Sequence, residues 1–217
     1  MSLFKTTDMR TEFSCVDRKT TVGLDGRSGL EDMEDKIFRR YADTHYAVVD
    51  HLEQIGMPQP GEQLRFITRR VFNAVQFIEL ITRAEVIEHM RIAIYSINFN
   101  AAKILMSLVN SNKIKQLDIM MSNLRNKAHR EKETIVKDAF VNHDRISIFF
   151  CKTHAKVMVC RTDAGNYYTM EGSGNMAWNS RIEQYVIDND KGMYDFTCEW
   201  MEDIKTFLAG TKELQYE

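Results

Sequence analysis

Apolar residues between positions 30 and 55 recur at spacings of three, four and seven, which places them on one side of a helix. Acidic residues are concentrated in the first turns of this segment, where the positive end of the helix dipole favours them. Both prolines of the chain, Pro58 and Pro60, then interrupt the helical pattern. The pattern predicts an N-terminal polar segment and helix over residues 1–60, followed by a second domain over residues 61–217. The single apolar stripe fits either a cover for a sheet edge or an interaction arm.

After residue 60, short apolar runs alternate with longer segments of helical periodicity. The short runs predict strands at 64–68, 91–97, 116–122, 145–150, 154–160, 166–172 and 181–188. The longer segments predict helices at 73–85, 100–112, 126–140 and 192–210. This alternation is typical of an α/β domain, and it predicts a mixed β-sheet flanked by helices on both faces.

The composition is that of a folded domain with a hydrophobic core, since 44% of the 217 residues are hydrophobic and 28% are charged. The formal net charge of -2 gives no overall attraction for nucleic acid, so any basic surface must be local. No run approaches the roughly 18 apolar residues that span a bilayer. The N-terminal stretch also lacks the apolar centre of a secretory signal. We therefore expect a cytoplasmic protein without a membrane span.

The four cysteines are too scattered for a disulfide framework and include no C-x-x-C pair. Cys151 and His154 are three residues apart in or near a predicted strand, so their side chains would point to opposite faces. We predict reduced thiols, no metal site and no cofactor.

His154 and Lys156 are two positions apart in a predicted strand, which places both side chains on one face. A neutral imidazole can act as a nucleophile, and a neighbouring ammonium can neutralise a phosphate oxygen. The pair therefore indicates phosphoryl-transfer chemistry.

A Gly-Ser-Gly-Asn turn follows the next predicted strand. Gly172 and Gly174 would let the backbone approach an anion closely, and Ser173 and Asn175 add side-chain donors. Eight residues later, Glu183 could accept a proton from the imidazole and so fix its tautomer.

These residues resemble the phospholipase D superfamily, whose signature is H-x-K-x(4)-D followed by G-S-x-x-N or a close relative. The "HAK" and "GSGN" stretches match the two parts, and Glu183 lies where single-motif nuclease members carry an acidic partner for the histidine. Two features depart from the signature. Arg161 occupies the aspartate position, with Asp163 two residues later, and the turn is one residue shorter.

The resemblance implies a metal-independent phosphodiesterase, with a nuclease favoured and DNA favoured over RNA as substrate. His154 would attack phosphorus to give a phosphohistidine, and the histidine of a second motif would protonate the leaving oxygen. Lys156, Ser173 and Asn175 would hold the phosphate, and Glu183 would orient His154. Because the chain has one H-x-K motif, a homodimer with two motifs facing each other is implied.

Two alternatives stay open. One is a nucleic-acid-binding or assembly module that kept the phosphate pocket but lost turnover, which Arg161 favours. The other is a phospholipid hydrolase or transferase.

A basic segment at 123–137 carries Arg125, Lys127 and Arg130. It fits a rim that guides a polyanionic backbone into the site. It also fits an ordinary solvated helix face, since Glu131 and Glu133 lie among the basic residues.

Overall fold

The computed structural model describes residues 38–44, 53, 55–68, 73–123, 140, 143–177 and 182–210. The strands within these ranges are β1 (Phe38–Thr44), β2 (Glu62–Thr68), β3 (Ile87–Ile94), β4 (Leu117–Ser122), β5 (Ile146–Cys151), β6 (Lys156–Thr162), β7 (Tyr167–Gly172) and β8 (Glu183–Asn189). The helices are α1 (Val75–Ala84), α2 (Phe99–Asn110) and α3 (Lys191–Gly210). None of these described helices is long and apolar enough to cross a membrane.

The strands form one mixed sheet in the order β1-β2-β8-β7-β6-β3-β4-β5. β1 and β2 are parallel, as are β3, β4 and β5, whereas β2/β8, β8/β7, β7/β6 and β6/β3 are antiparallel. The predicted mixed sheet is therefore confirmed. Because β3/β6, β6/β7 and β7/β8 are antiparallel, the C-termini of β3 and β7 and the N-termini of β6 and β8 lie at the same end of the sheet.

Helices pack on both faces of the sheet, as the sequence predicts. α1 and α2 contribute to the larger core, together with side chains such as Ile92 and Met158. α3 contributes Tyr194 and Met201 to a second core, together with the strand residue Val159. Because side chains alternate along a strand, these two cores lie on opposite faces of the sheet.

A polar network fastens α3 to its face of the sheet. The guanidinium of Arg91 on β3 donates a 2.9 Å hydrogen bond to the carbonyl of Cys198 and lies 3.2 Å from Glu202. His89 Nε2 lies 2.9 Å from Asp118 Oδ2. Burial opposes ionisation of Asp118, but the hydrogen bond from His89 and the nearby cations outweigh it and lower the pKa of this carboxyl. The network is therefore built around an ionised Asp118.

The helix predicted over residues 30–55 is wrong at Phe38–Thr44, which form β1. β1 pairs in parallel with β2, from Phe38 opposite Glu62 to Thr44 opposite Thr68. The outer edge of β2 offers unpaired backbone donors and acceptors, and pairing with them outweighs the local helical periodicity. Glu53 and Ile55, near the end of the predicted segment, are helical. The division into residues 1–60 and 61–217 stays a prediction.

Candidate active site

One end of the sheet brings most of the predicted site residues together. Ile94, the last residue of β3, pairs with Lys156, the first residue of β6. Gly172 ends β7 next to β6, and Glu183 begins β8 next to β7. Neighbouring strands are about 4.8 Å apart, so these positions share one end of the sheet. His154 precedes β6 at this same end.

His154 is exposed and lies just before β6, so the strand begins two residues later than the sequence predicts. The Lys156 ammonium lies 3.2 Å from Nδ1 of His154 and also donates to the His154 carbonyl at 3.1 Å. An ammonium can only donate, so Nδ1 accepts and the ring proton is on Nε2. The two side chains thus form the predicted pair.

Tyr95 is a site residue that the sequence analysis missed. It follows β3 directly, and its ring centroid lies 4.7 Å from that of His154 at an interplanar angle of 43°. The Lys156 ammonium is 5.9 Å from the Tyr95 ring centroid. An aromatic face restricts the orientation of the imidazole and favours a nearby cation. The feature of the sequence that could have pointed to Tyr95 was its position, as an aromatic residue directly after a buried strand.

Ser173 and Glu183 form a second pair at this end of the sheet. The Ser173 hydroxyl donates to Oε2 of the buried Glu183 and accepts a 3.1 Å hydrogen bond from the backbone N–H of Gln184. The hydrogen-bond partner of His154 among the described residues is Lys156, not Glu183. Orientation of His154 by Glu183 therefore stays a prediction, and one contact of the Glu183 carboxylate is the hydrogen bond from Ser173.

Asn175 is the last member of the turn. Its Oδ1 is buried and has no hydrogen-bond partner within the described part of the chain. Buried polar atoms in folded proteins nearly always have a partner, so this oxygen could accept a hydrogen bond from an ordered water or from a donor group of a ligand.

The two glycines of the turn pack against the Tyr185 side chain. A Cβ on Gly172 would overlap the Tyr185 ring and lie 2.6 Å from the Gln184 carbonyl oxygen, and one on Gly174 would overlap the Tyr185 hydroxyl. Burial, and then the charge of Glu183, raise the pKa of Tyr185, which keeps this hydroxyl protonated. Close packing against Tyr185 explains why both positions are occupied by glycine. Their predicted contact with a bound anion stays a prediction.

Replacing Gly174 by alanine is expected to lower the free energy of unfolding by about 1–3 kcal/mol, because the added methyl overpacks the turn. In a Tyr185→Phe background the same replacement is expected to cost less, since the overlapping oxygen is gone. Urea denaturation of the four proteins in this double-mutant cycle measures both costs. Equal costs in the two backgrounds would contradict the assigned clash.

The position that departs from the family signature lies far from the site. Arg161 is exposed near the other end of β6, where it pairs with Tyr167 on β7. Five residues of strand separate it from Lys156, which corresponds to about 16 Å. Asp163 lies in the turn after β6, where it accepts a 2.9 Å hydrogen bond from the backbone N–H of Val86. It therefore lies at the end of the sheet opposite to His154.

The predicted basic rim of Arg125, Lys127 and Arg130 lies outside the described residues. Among the residues that are described, no group of three or more His, Cys, Asp or Glu is arranged to hold a metal ion.

No protein-family model matches the sequence, and no curated protein is detectably similar to it. Among solved structures, the chain is similar to the polyphosphate kinase of Porphyromonas gingivalis (TM-score 0.48, 11% identity, 66% of this chain and 25% of that one). It is also similar to Nuc, a phospholipase D family member from Salmonella typhimurium (TM-score 0.44, 15% identity, 58% and 83%). A third is yeast tyrosyl-DNA phosphodiesterase (TM-score 0.35, 9% identity, 51% and 27%).

The chain thus spans a quarter of the polyphosphate kinase and most of Nuc.

Proposed function

We propose that the protein is a phosphodiesterase that acts through a phosphohistidine and, more specifically, a nuclease. The observation that carries this proposal is the His154–Lys156 pair, in which an exposed imidazole lies 3.2 Å from an ammonium. Ser173 and Asn175 lie at the same end of the sheet. The amide N–H groups of Asn175 could donate to a phosphate, and the Ser173 hydroxyl could do so on releasing Glu183.

Attack on phosphorus requires a lone pair on the reacting nitrogen of His154. In the structure Lys156 contacts Nδ1, which leaves the ring proton on Nε2. For Nε2 to attack, Lys156 must leave Nδ1 for a phosphate oxygen, and the ring proton must move to Nδ1. Glu183 could then accept a hydrogen bond from Nδ1–H, as the sequence predicts.

The reaction proceeds in two steps. In the first, Nε2 of His154 forms a bond to phosphorus while the bond from phosphorus to the leaving oxygen breaks. The leaving oxygen takes a proton from His154 of the partner subunit. In the second, water attacks phosphorus, the N–P bond breaks, and the proton of the water passes to His154 of the partner subunit. The donors around the phosphate stabilise the added charge, so no metal is required.

The homodimer, the preference for DNA over RNA, the basic rim of Arg125, Lys127 and Arg130, and a cytoplasmic location belong to the same proposal. They rest on the single H-x-K motif, on the charge pattern and on the sequence-based expectation about compartment.

A second candidate is a module that binds nucleic acid without cleaving it. Arg161 in place of the family's aspartate is the observation that favours it. Against it, the structure places Arg161 at the far end of β6 and leaves His154 exposed.

The proposal is tested by incubating purified protein with labelled single- and double-stranded DNA in excess EDTA. We expect cleavage to persist in EDTA. We also expect an acid-labile, alkali-stable adduct on the peptide that contains His154, in which the imidazole carries the phosphate together with the strand still esterified to it, detected by mass spectrometry after rapid denaturation. Cleavage that disappears in EDTA and returns with Mg²⁺ would contradict the metal-free mechanism. Salt-sensitive DNA binding without cleavage would support the binding module.

A further inference from the structure

The residue that caps the N-terminus of α2 is hydrogen-bonded to the chain directly after the Gly-Ser-Gly-Asn turn. The backbone N–H of Asn98 donates a 2.9 Å hydrogen bond to the carbonyl of Met176, the residue that follows Asn175. The Asn98 side chain caps α2 by accepting a 2.8 Å hydrogen bond from the N–H of Ala101. Phe99, the first residue of α2, therefore has its Cα within about 13 Å of the Asn175 Cα.

Phe99 is not part of the hydrophobic core on which α2 packs. The buried side of this helix consists of Ala101, Ala102, Leu105 and Val109. Phe99 is 47% exposed, so much of its ring is open to solvent. One turn later, the exposed Lys103 places its ammonium 4.3 Å from the centre of the Phe99 ring. An aromatic ring and a cation are thus presented to solvent beside the site.

This pair has the chemistry of a single-strand binding surface. An exposed aromatic ring stacks on the face of a nucleobase, and a neighbouring lysine attracts the phosphate backbone. In a duplex both faces of each base are already covered by stacking, so a fixed ring of this kind reaches bases in an unpaired strand. The positive end of the α2 dipole adds to the attraction for phosphate.

We propose that Phe99 and Lys103 bind an unpaired base and its adjacent phosphate, which makes single-stranded nucleic acid the substrate class. This inference rests on the proposed function in one respect: the phosphodiester of the same strand would lie at His154.

The test compares three fluorescein-labelled ligands by anisotropy in EDTA at fixed salt: a 12-nucleotide single-stranded DNA, an abasic backbone of the same length, and a blunt duplex. Phe99→Ala is expected to raise the Kd for the single strand about tenfold, which is the scale of one stacked base. It is expected to leave the Kd for the abasic backbone unchanged. Phe99→Trp should restore binding, since it restores an aromatic face. Lys103→Gln should weaken both single-stranded ligands and reduce the salt dependence of binding.

Phe196→Ala is the matched control. Phe196 is 62% exposed on α3, on the opposite face of the sheet from α2. Its replacement removes a similar exposed ring and should leave all three Kd values unchanged. An equal loss of single-stranded and abasic binding in Phe99→Ala, or no loss of either, would overturn the proposal.

The outcome is separable from that of the proposed function. If the wild-type protein cleaves DNA through His154 but Phe99→Ala binds every ligand normally, the stacking surface is refuted and the phosphodiesterase stands. If no DNA is cleaved but Phe99→Ala loses base-dependent binding, the stacking surface is supported and the phosphodiesterase is refuted.

Discussion

Replacing His154 by alanine is expected to slow phosphodiester cleavage in EDTA by at least about 10³-fold, because it removes the proposed nucleophile and, in the proposed dimer, the general acid as well. The variant should fold normally, since His154 is exposed and its side chain contacts Lys156 and Tyr95 rather than the core. Initial rates on a labelled single-stranded oligonucleotide, with thermal unfolding measured in parallel, check both expectations.

His143→Ala is the matched control for this substitution. His143 precedes β5 at the opposite end of the sheet, where its Nε2 lies 3.0 Å from Asn110 Oδ1. We expect this variant to cleave at the wild-type rate. A His154→Ala protein that keeps wild-type activity would remove the basis of the proposed mechanism.

Mixed dimers extend the same experiment to the shared site. If each cleavage needs His154 from both subunits, co-expressing equal amounts of wild-type and His154→Ala chains should reduce the activity to about one quarter, because about a quarter of the dimers carry two histidines. Independent subunits would instead retain about half. A linear dependence on the wild-type fraction would therefore argue against a composite site.

Replacing Lys156 by methionine is expected to reduce kcat by about 10²–10³-fold, the usual effect of removing one donor that stabilises transition-state charge. Methionine keeps the unbranched apolar chain of lysine and lacks the ammonium, so the effect reports on charge rather than on packing. Lys156→Arg should recover part of the activity, since it keeps the charge but not the compact geometry of an ammonium. Steady-state kinetics on the oligonucleotide separate kcat from KM.

Lys115→Met provides the control for the loss of a lysine charge. Lys115 forms an exposed ion pair with Glu88 at 2.7 Å, away from the site end of the sheet. We expect its kinetics to match those of the wild type. An equal loss in Lys115→Met and Lys156→Met would show that the effect is general rather than local to His154.

The fold was largely predictable because buried strands and amphipathic helices each produce a characteristic pattern of apolar residues in the sequence. The runs that became β3 and β6 are apolar because both faces of the central strands are covered by helices. The segment that became β1 was not predictable in this way. Local periodicity reports which side of an element is apolar, but it does not report that the edge of β2 lacks a backbone partner.

The proximity of the candidate site residues was predictable from the sequence, but not all of their contacts were. The spacing of His154 and Lys156 indicated a pair, and the structure brings them to 3.2 Å. Sequence order could not show that Glu183 contacts Ser173, because that contact depends on how β7 and β8 are aligned. Tyr95 was missed for a related reason, since its position beside His154 follows from the pairing of β3 with β6.

The place of β8 in the sheet has a consequence for how the protein is made. β8 lies between β2 and β7, and it pairs with β2 through contacts such as Gln63 with Asp188. During translation β2 leaves the ribosome long before residues 183–189, so one of its edges has no native partner for most of synthesis. Open strand edges pair readily with other chains. The free edge of β2 is therefore a place where the nascent chain can pair wrongly until β8 emerges and inserts between β2 and β7.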